Sequence, residues 1–298
     1  MPFGPNKIGK GEEEAMWWGT AKIAAVALLV AAVAYAPAGI AQTAVPEPGK
    51  SKKVDDIKKR GVLRAAAIGE FPWLPENTSG SGPQFAGPAW ILANSIADRL
   101  GVKLEIVPVS HETKVPILAS GQADITIAPL SITPAREKVV DFVPYSGSSL
   151  CFFGLASNPK LQKANTVDDL DNPDITMAYF TGTPPETWAP TRFKQLKYRA
   201  VTGSGANAPV EEIISKRADV APIDNVAWPN LDASVKGLTV FPKGDDCLRS
   251  KEMETKTAMA IDKGDPVFLA WLTAVKNEMQ PKLEAEELRI LKSVKPAS

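Results

Sequence analysis

Histidine and cysteine are scarce in this chain of 298 residues, and neither sign of charge is in excess. His111 is the only histidine and the two cysteines lie far apart, which argues against a metal site built from histidine and cysteine ligands. Lysine plus arginine and aspartate plus glutamate both number 34, so nothing favours a nucleic-acid-binding surface. A Ser-His-Asp catalytic scheme would have to use His111, and no nucleophile-elbow sequence accompanies it. We expect no cofactor.

The two cysteines, Cys151 and Cys247, are a candidate disulfide if the protein works in an oxidising compartment. Their spacing alone does not prove pairing, and two buried free thiols are the alternative.

Long apolar runs are also absent, except near the N-terminus. Ile23–Ala36 carries no charge, follows Lys22 and is broken by Pro37. A basic flank, a short apolar segment and the small-residue ending Gly39–Ala41 predict a secretory signal peptide, residues 1–41, with cleavage after Ala41. An uncleaved membrane anchor is the alternative, because the run to Ala41 approaches the roughly 20 residues that span a bilayer. Residues 42–53 are polar and predict a flexible leader.

Short apolar segments alternate with amphipathic segments from Val54 onward, which is typical of sheets covered by helices. The alternation comes in two sets, joined at Ser146–Ser149 and again at Lys243–Glu254. We therefore predict an α/β protein of two lobes, residues 54–146 with 257–298 and residues 147–256, joined by two hinge-crossing strands. The cleft between the lobes is the natural ligand site.

Individual elements follow from the same pattern. Helices are predicted at Pro88–Leu100 and Glu112–Ser120, and two separate helices near the C-terminus, at Pro266–Met279 and Glu284–Leu291. Separate strands are predicted at Val139–Val143 and Leu150–Ala156.

The stretch from Gly121 to Tyr145 is the strongest candidate for binding chemistry. It reads as a strand, a polar turn with Ser131, a short helix holding Arg136 and a second strand. Thr133 followed by Pro134 is a good helix start. The threonine hydroxyl can accept a hydrogen bond from an unpaired backbone N–H of the first turn, and proline at the first helical position gives up no hydrogen bond. A serine hydroxyl and a guanidinium at the carboxyl end of a strand suit a carboxylate ligand.

This stretch resembles a known family signature. The segment LASGQADITIAPLSITPAREKVVDFVPY is similar to the signature of the family 3 extracellular solute-binding proteins of ABC transporters, most of which bind amino acids. RADVAPIDN at residues 217–225 resembles the family's return strand, and Thr181–Thr183 resembles the start of the second lobe's first helix. The resemblance covers roughly Val54 to the C-terminus. It implies a type II periplasmic-binding-protein fold.

The resemblance also implies roles for particular residues. Arg136 would hold a ligand carboxylate in a bidentate pair, helped by Ser131 and by N–H groups of Thr181, Gly182 and Thr183 at a helix start. Asp224 would pair with a ligand ammonium group. From the residues alone, Arg136 could be a helix-surface charge and Asp224 a helix N-cap.

Some positions depart from the family pattern. The acidic residue usual after the first strand is replaced by Ala67, with Glu70 three residues later, and Pro129 and Pro184 stand where other residues are usual. His111 stands where an aromatic ring often stacks on the ligand. The further candidates for contact with the ligand are Glu70, Trp73, His111 and Pro129, although Glu70 could be solvent-exposed and Trp73 could cover the core.

The predicted function is therefore a monomeric periplasmic substrate-binding component of an ABC transporter. It would capture an amino acid or related zwitterion or carboxylate by hinge closure and present it to an ABC permease in the inner membrane. A cyclohexadienyl-type dehydratase using Glu70 or His111 is the alternative from another class, and a membrane-anchored ligand sensor is a third.

Overall fold

The computed structural model describes residues 43–202 and 208–294, which fall in one compact unit. Its strands are, in chain order, β1 (Val62–Ala67), β2 (Lys103–Pro108), β3 (Ile125–Ser131), β4 (Val140–Leu155), β5 (Thr176–Phe180), β6 (Lys197–Val201), β7 (Val220–Asp224), β8 (Leu238–Phe241) and β9 (Glu252–Asp262). In the sheet they follow the order β2-β1-β3-β9-β4-β7-β5-β6, and β8 pairs with β4. We call the part built on β1 to β3 lobe 1 and the part built on β5 to β8 lobe 2. The predicted α/β fold of two lobes is confirmed. The predicted signal peptide and the first residue of the predicted leader lie outside the described residues.

Lobe 1 has helices on both sides of a mostly parallel group of strands. Strand β1 pairs in parallel with β2 and β3, as expected for strands joined by helical connections. Its elements are α1 (Lys52–Arg60), β1 (Val62–Ala67), α2 (Pro88–Leu100), β2 (Lys103–Pro108), α3 (Pro116–Ala119), β3 (Ile125–Ser131), α4 (Pro134–Glu137) and α8 (Pro266–Ser293).

Lobe 2 repeats this arrangement with shorter elements, and β5 pairs in parallel with β6 and β7. Its elements are β5 (Thr176–Phe180), α5 (Pro184–Arg192), β6 (Lys197–Val201), α6 (Ala208–Ile214), β7 (Val220–Asp224), α7 (Trp228–Ser234) and β8 (Leu238–Phe241). Short 3₁₀ helices add Asp168–Leu170, Asn225–Ala227 and Gly244–Arg249.

Two long antiparallel strands, β4 (Val140–Leu155) and β9 (Glu252–Asp262), connect the lobes. Separate strands were predicted before and after Ser146–Ser149, and that prediction is wrong because β4 runs through as one strand of 16 residues. Pro144 stays in the ladder opposite Ala258, and a register shift after it absorbs the irregularity. The two strands therefore form the double crossing that the sequence predicts.

Two helix predictions need correction. The helix predicted at Glu112–Ser120 is confined to α3, because residues 111–115 form turns before Pro116 starts the helix. The two helices predicted near the C-terminus are one helix, α8, which continues through Pro281. Packing of its apolar face explains that continuity, since Trp271, Met279 and Leu283 are all buried in the core of lobe 1.

Hydrophobic cores lie on both faces of the strands in each lobe. In lobe 1 the larger core lies between the sheet and helices α2 and α8, and a smaller one lies beside α3. Lobe 2 has two comparable clusters, one of which contains the cystine. Each lobe thus has its own core, which allows the crossing strands to act as the flexible connection. Among the described helices, none is both long and apolar enough to cross a membrane.

The predicted disulfide between Cys151 and Cys247 is confirmed. Cys151 lies on β4, while Cys247 lies in the 3₁₀ helix that precedes β9, and their Cα atoms are 5.6 Å apart. The bond therefore ties the start of lobe 2 to its end.

Removing this bond should destabilise the protein. We expect the double variant Cys151→Ser, Cys247→Ser to lose about 2–4 kcal/mol of unfolding free energy, because the loop it closes is long. Urea unfolding measures the change, with reduced wild-type protein as the control. Equal midpoints for oxidised protein and the double variant would contradict the expectation.

Candidate functional site

A cavity of about 610 Å³ lies between the lobes, at the carboxyl ends of β1, β3, β5 and β7. Ligand sites in open α/β sheets commonly lie at such strand ends. Seven of the predicted site residues line it: Glu70, His111, Pro129, Ser131, Arg136, Thr183 and Asp224. The cavity therefore brings together side chains separated by more than 150 positions in sequence.

A larger cavity, of about 810 Å³, lies along the crossing strands near Gly147, Lys251 and Lys256. None of the predicted ligand-binding residues lines it. Buried charges converge on the smaller cavity, which is therefore the candidate site.

Arg136 connects the two lobes. The hydroxyl of Thr133 caps α4 by accepting the Arg136 N–H, which fixes the start of the helix. The guanidinium donates from one nitrogen to the Ser131 carbonyl (2.9 Å) and from another to the Gly182 carbonyl of lobe 2 (2.9 Å). Burial lowers its pKa, while Glu70 opposes that shift. Since a guanidinium has five N–H donors, three remain for an anion in the cavity.

Asp224 lines the same cavity from the last position of β7. Its carboxylate accepts a hydrogen bond from the Ser148 hydroxyl on β4 at 2.6 Å. Burial raises its pKa to about 7, with the negative charge of Glu70 adding to the shift and Ser148 and Lys114 opposing it. By surface area the side chain is half-buried, because one side faces the cavity. Its carboxylate is therefore short of positive partners.

Lys114 is the residue of the site that the sequence analysis missed. Its side chain is 4% exposed, its ammonium donates to the Pro129 carbonyl at 2.7 Å and it lies 3.6 Å from a Glu70 carboxylate oxygen. Burial lowers its pKa, while Glu70 and Asp224 favour the ammonium form. No local pattern marks Lys114, since its partners lie 44 residues before and 15 residues after it.

Glu70 forms an ion pair with this lysine. Its Oε2 atom is buried and has no hydrogen-bond partner among the described residues, although the ammonium of Lys114 is close. A buried carboxylate oxygen without a donor is energetically costly. This atom is an acceptor available to a bound molecule.

His111 contacts lobe 2 through its ring. The imidazole packs against Phe180 with centroids 4.4 Å apart, and Nδ1 is buried with no hydrogen-bond partner in the described part of the chain. Burial and the nearby charges of Lys114 and Arg136 lower its pKa to about 3, so the ring is neutral at physiological pH. A neutral ring suits the cavity wall better than a proton-transfer role near pH 7.

The start of α5 does not offer the expected N–H groups. The Gly182 N–H already donates to the Glu186 carboxylate at 2.8 Å, and the Thr183 N–H and hydroxyl both point to the Phe180 carbonyl. Pro184 and Pro185, the first residues of the helix, have no N–H to give. Thr181 has a buried hydroxyl with no hydrogen-bond partner among the residues that the structure describes. The carboxylate role predicted for these N–H groups is therefore not supported, because they are occupied or missing.

Trp73 also needs correction as a ligand contact. It is 1% exposed and packs in the core of lobe 1. Its indole N–H donates to Ser146 (3.0 Å) and Glu287 (3.2 Å), so it supports the crossing strand from behind instead of lining the cavity.

Comparison with known proteins agrees with this fold. The sequence pattern of the bacterial extracellular solute-binding proteins, family 3, matches residues 72–289, which is most of the chain. The chain belongs to this family.

Three proteins illustrate the similarity. Cyclohexadienyl dehydratase from Pseudomonas aeruginosa is 26% identical over 178 residues, which are 59% of this chain and 64% of that enzyme. A solved ancestral amino-acid-binding protein, a precursor of cyclohexadienyl dehydratase, is 28% identical with a TM-score of 0.66 over 81% of this chain and 98% of its own. The arginine-bound form of truncated ArgBP from T. maritima is 25% identical with a TM-score of 0.64, over 76% and 99%.

These relatives include both an enzyme and binding proteins. The chain spans just under two thirds of the length of the dehydratase, and nearly all of the two binding proteins. The chain therefore shares its fold and family with an enzyme and with binding proteins alike, and its activity must be argued from the site.

The raised pKa of Asp224 should appear in the pH dependence of stability. Its folded-state pKa of about 7 exceeds the ordinary 3.8, so between these values the folded protein binds more protons than the unfolded chain. Its contribution to stability is thus lost as pH rises from about 4 to 7. We expect Asp224→Asn to become more stable than wild type over this window, by on the order of 1–4 kcal/mol.

Urea unfolding of the ligand-free protein at pH 4.5, 6 and 8 measures this difference. Asp232→Asn, at an exposed carboxylate on α7, is the matched control. A difference between Asp224→Asn and wild type that stays constant with pH would show that the carboxylate is not desolvated.

Gly182 controls how closely the lobes approach. It has φ of +79°, and a Cβ there would lie 2.9 Å from the Glu112 Cα and 3.2 Å from the His111 carbonyl of lobe 1. We expect Gly182→Ala to increase the average separation of the lobes, measured as radius of gyration by X-ray scattering.

The matched control is Gly237→Ala, at a φ of +78° with no atom within 4 Å of its Cβ position. Both variants should lose about 1 kcal/mol of stability from backbone strain. Equal radii of gyration for the two variants would show that Gly182 does not limit how closely the lobes approach.

Proposed function

We propose that this protein is the substrate-binding component of an ABC transporter and captures an amino acid between its lobes. One observation carries the proposal: a guanidinium on lobe 1, Arg136, and a carboxylate on lobe 2, Asp224, line the same cavity. A ligand with a carboxylate and an ammonium group fits that pair. The amino-acid-binding relatives among the solved structures support this ligand class.

Binding would follow from charge pairing across the cleft. The ligand carboxylate would accept hydrogen bonds from the remaining N–H groups of Arg136 and from the Ser131 hydroxyl. Arginine and a carboxylate can form two parallel charge-assisted hydrogen bonds, which favours this pairing. The ligand ammonium would donate to Asp224, whose raised pKa reflects the lack of such a partner. Because the ligand contacts both lobes, it stabilises the closed arrangement relative to the open one.

Cellular placement and domain limits are part of the same proposal. We place the protein in the periplasm after removal of residues 1–41, as a monomer that presents the closed form to an inner-membrane permease. Lobe boundaries at 54–146 with 257–298 and at 147–256 fit the crossing strands, since β4 and β9 pass between the lobes there. The family's extracellular character supports this location.

A dehydratase is the second candidate, favoured by the similarity to cyclohexadienyl dehydratase and by the unpartnered Oε2 of Glu70. That atom could accept a proton in an elimination. Against it, the ammonium of Lys114 lies 3.6 Å away, so this carboxylate is already engaged in an ion pair.

Calorimetric titration with the standard amino acids tests the proposal. At least one should bind, and Arg136→Ala should weaken that ligand at least about 100-fold, because its carboxylate would lie buried without a cation. Asp224→Asn should weaken it by a similar factor through loss of the ammonium partner.

Arg289→Ala is the matched control, because that arginine is exposed on α8 and pairs only locally with Glu286. Its affinity should equal that of wild type. Absence of binding by every amino acid would overturn the proposal, and turnover of prephenate or arogenate that is lost in Glu70→Gln would favour the dehydratase instead.

A further inference from the structure

The ion pair of Glu70 and Lys114 lies inside the same cavity and is not used by the carboxylate and ammonium of the ligand. Lys114 is 3% exposed as a residue and Glu70 lines the cavity, so both belong to the closed site and not to its solvent rim. The pair must therefore determine which side chains the ligand can have.

Charge balance limits the ligand's side chain. Four charged side chains that are not exposed line the cavity, Arg136 and Lys114 against Glu70 and Asp224, while Glu211 lines it from an exposed position and His111 is neutral. An amino acid backbone would pair with Arg136 and Asp224. Glu70 and Lys114 then neutralise each other, and a second charge on the ligand would lie in the cavity without a buried counter-charge.

Hydrogen bonding narrows the choice further. Glu70 Oε2 is a buried acceptor without a donor, and the Lys114 ammonium uses one proton on the Pro129 carbonyl at 2.7 Å. With three donors in total, Lys114 has protons left for an acceptor. A hydroxyl or carboxamide group can donate to Glu70 and accept from Lys114 at the same time, whereas an aliphatic side chain satisfies neither.

We infer that the Glu70–Lys114 pair selects amino acids with uncharged polar side chains and rejects those with charged side chains. The inference rests on the proposed function and adds its ligand class. A cationic side chain would meet the ammonium of Lys114, and an acidic one the carboxylate of Glu70, so both lose affinity by like-charge contact.

The wild-type panel is the first test. Serine, threonine, asparagine and glutamine should include the tightest ligand, with arginine, lysine, glutamate and aspartate at least about 30-fold weaker, measured by calorimetry at pH 7.5. If arginine or lysine binds as tightly as the best uncharged ligand, this inference is overturned while the proposed function stands. If no amino acid binds, the proposed function itself fails.

Variants of the pair give a second, independent test. Lys114→Met leaves Glu70 without its cation and should improve binding of arginine or lysine at least about 10-fold relative to the uncharged ligands. Glu70→Gln should improve binding of glutamate and aspartate relative to the uncharged ligands. The double variant Glu70→Gln, Lys114→Met removes both charges and should restore the preference for uncharged ligands.

Lys263→Met, at a half-exposed lysine paired with Asp141, is the matched control and should leave every ratio unchanged. Removing one member of a buried pair can destabilise a protein, so each variant is first checked by thermal unfolding. If Lys114→Met does not fold, the wild-type panel and the double variant still decide the outcome. Equal specificity in wild type and all folded variants would show that the pair does not select the ligand.

Discussion

The site depends on a balance of charge among side chains that are partly or fully buried. Two cations and two carboxylates come from four separate segments of the chain, and for each of them burial either opposes the ionised form or leaves an atom without a partner among the described residues. Such groups are stable only while the lobes hold them near one another. The lobes, the crossing strands and the closing contacts can all be understood as the means of maintaining that balance.

Two contacts across the cleft are small, one polar and one aromatic. Arg136 reaches the Gly182 carbonyl, and the His111 ring packs against Phe180, so the same loop that supplies Lys114 also touches lobe 2. Neither contact belongs to the hydrophobic clusters that fill the two lobes. In the proposed function, opening the cleft would rehydrate the charges and favour the open form until a ligand supplies their missing partners. Ligand binding and closure would then be coupled through desolvation.

Much of this arrangement could be predicted from the sequence, and the exceptions have physical reasons. Helix α2 was predicted with the bounds that the structure shows, since Gly87 and Gly101 flank a clear apolar period there. Strand β4 was divided because Pro144 and Gly147 are poor strand residues, yet pairing along β9 carries them. Helix α8 was divided at Pro281 for a similar reason, and packing outweighs the lost hydrogen bond.

Side-chain roles were harder to predict than elements. Arg136, Ser131 and Asp224 could be placed at the cavity because they lie in recognisable motifs at strand ends. Lys114 could not, because its importance comes from burial beside Glu70, and no periodicity encodes that contact. Trp73 was misplaced because a tryptophan in a long loop suits either a binding surface or a core, and only the fold decides. The roles given to these residues in ligand binding stay predictions.

The position of the disulfide has a topological consequence. Cys151 and Cys247 lie where the chain enters and leaves lobe 2, so the backbone between them is a covalent ring inserted into lobe 1. A single cut anywhere in that ring would leave the two fragments joined through sulfur, and each would keep its connection to a crossing strand. Lobe 2 could therefore be nicked without being lost, which is a form of resistance to proteases outside the cell that does not depend on thermodynamic stability.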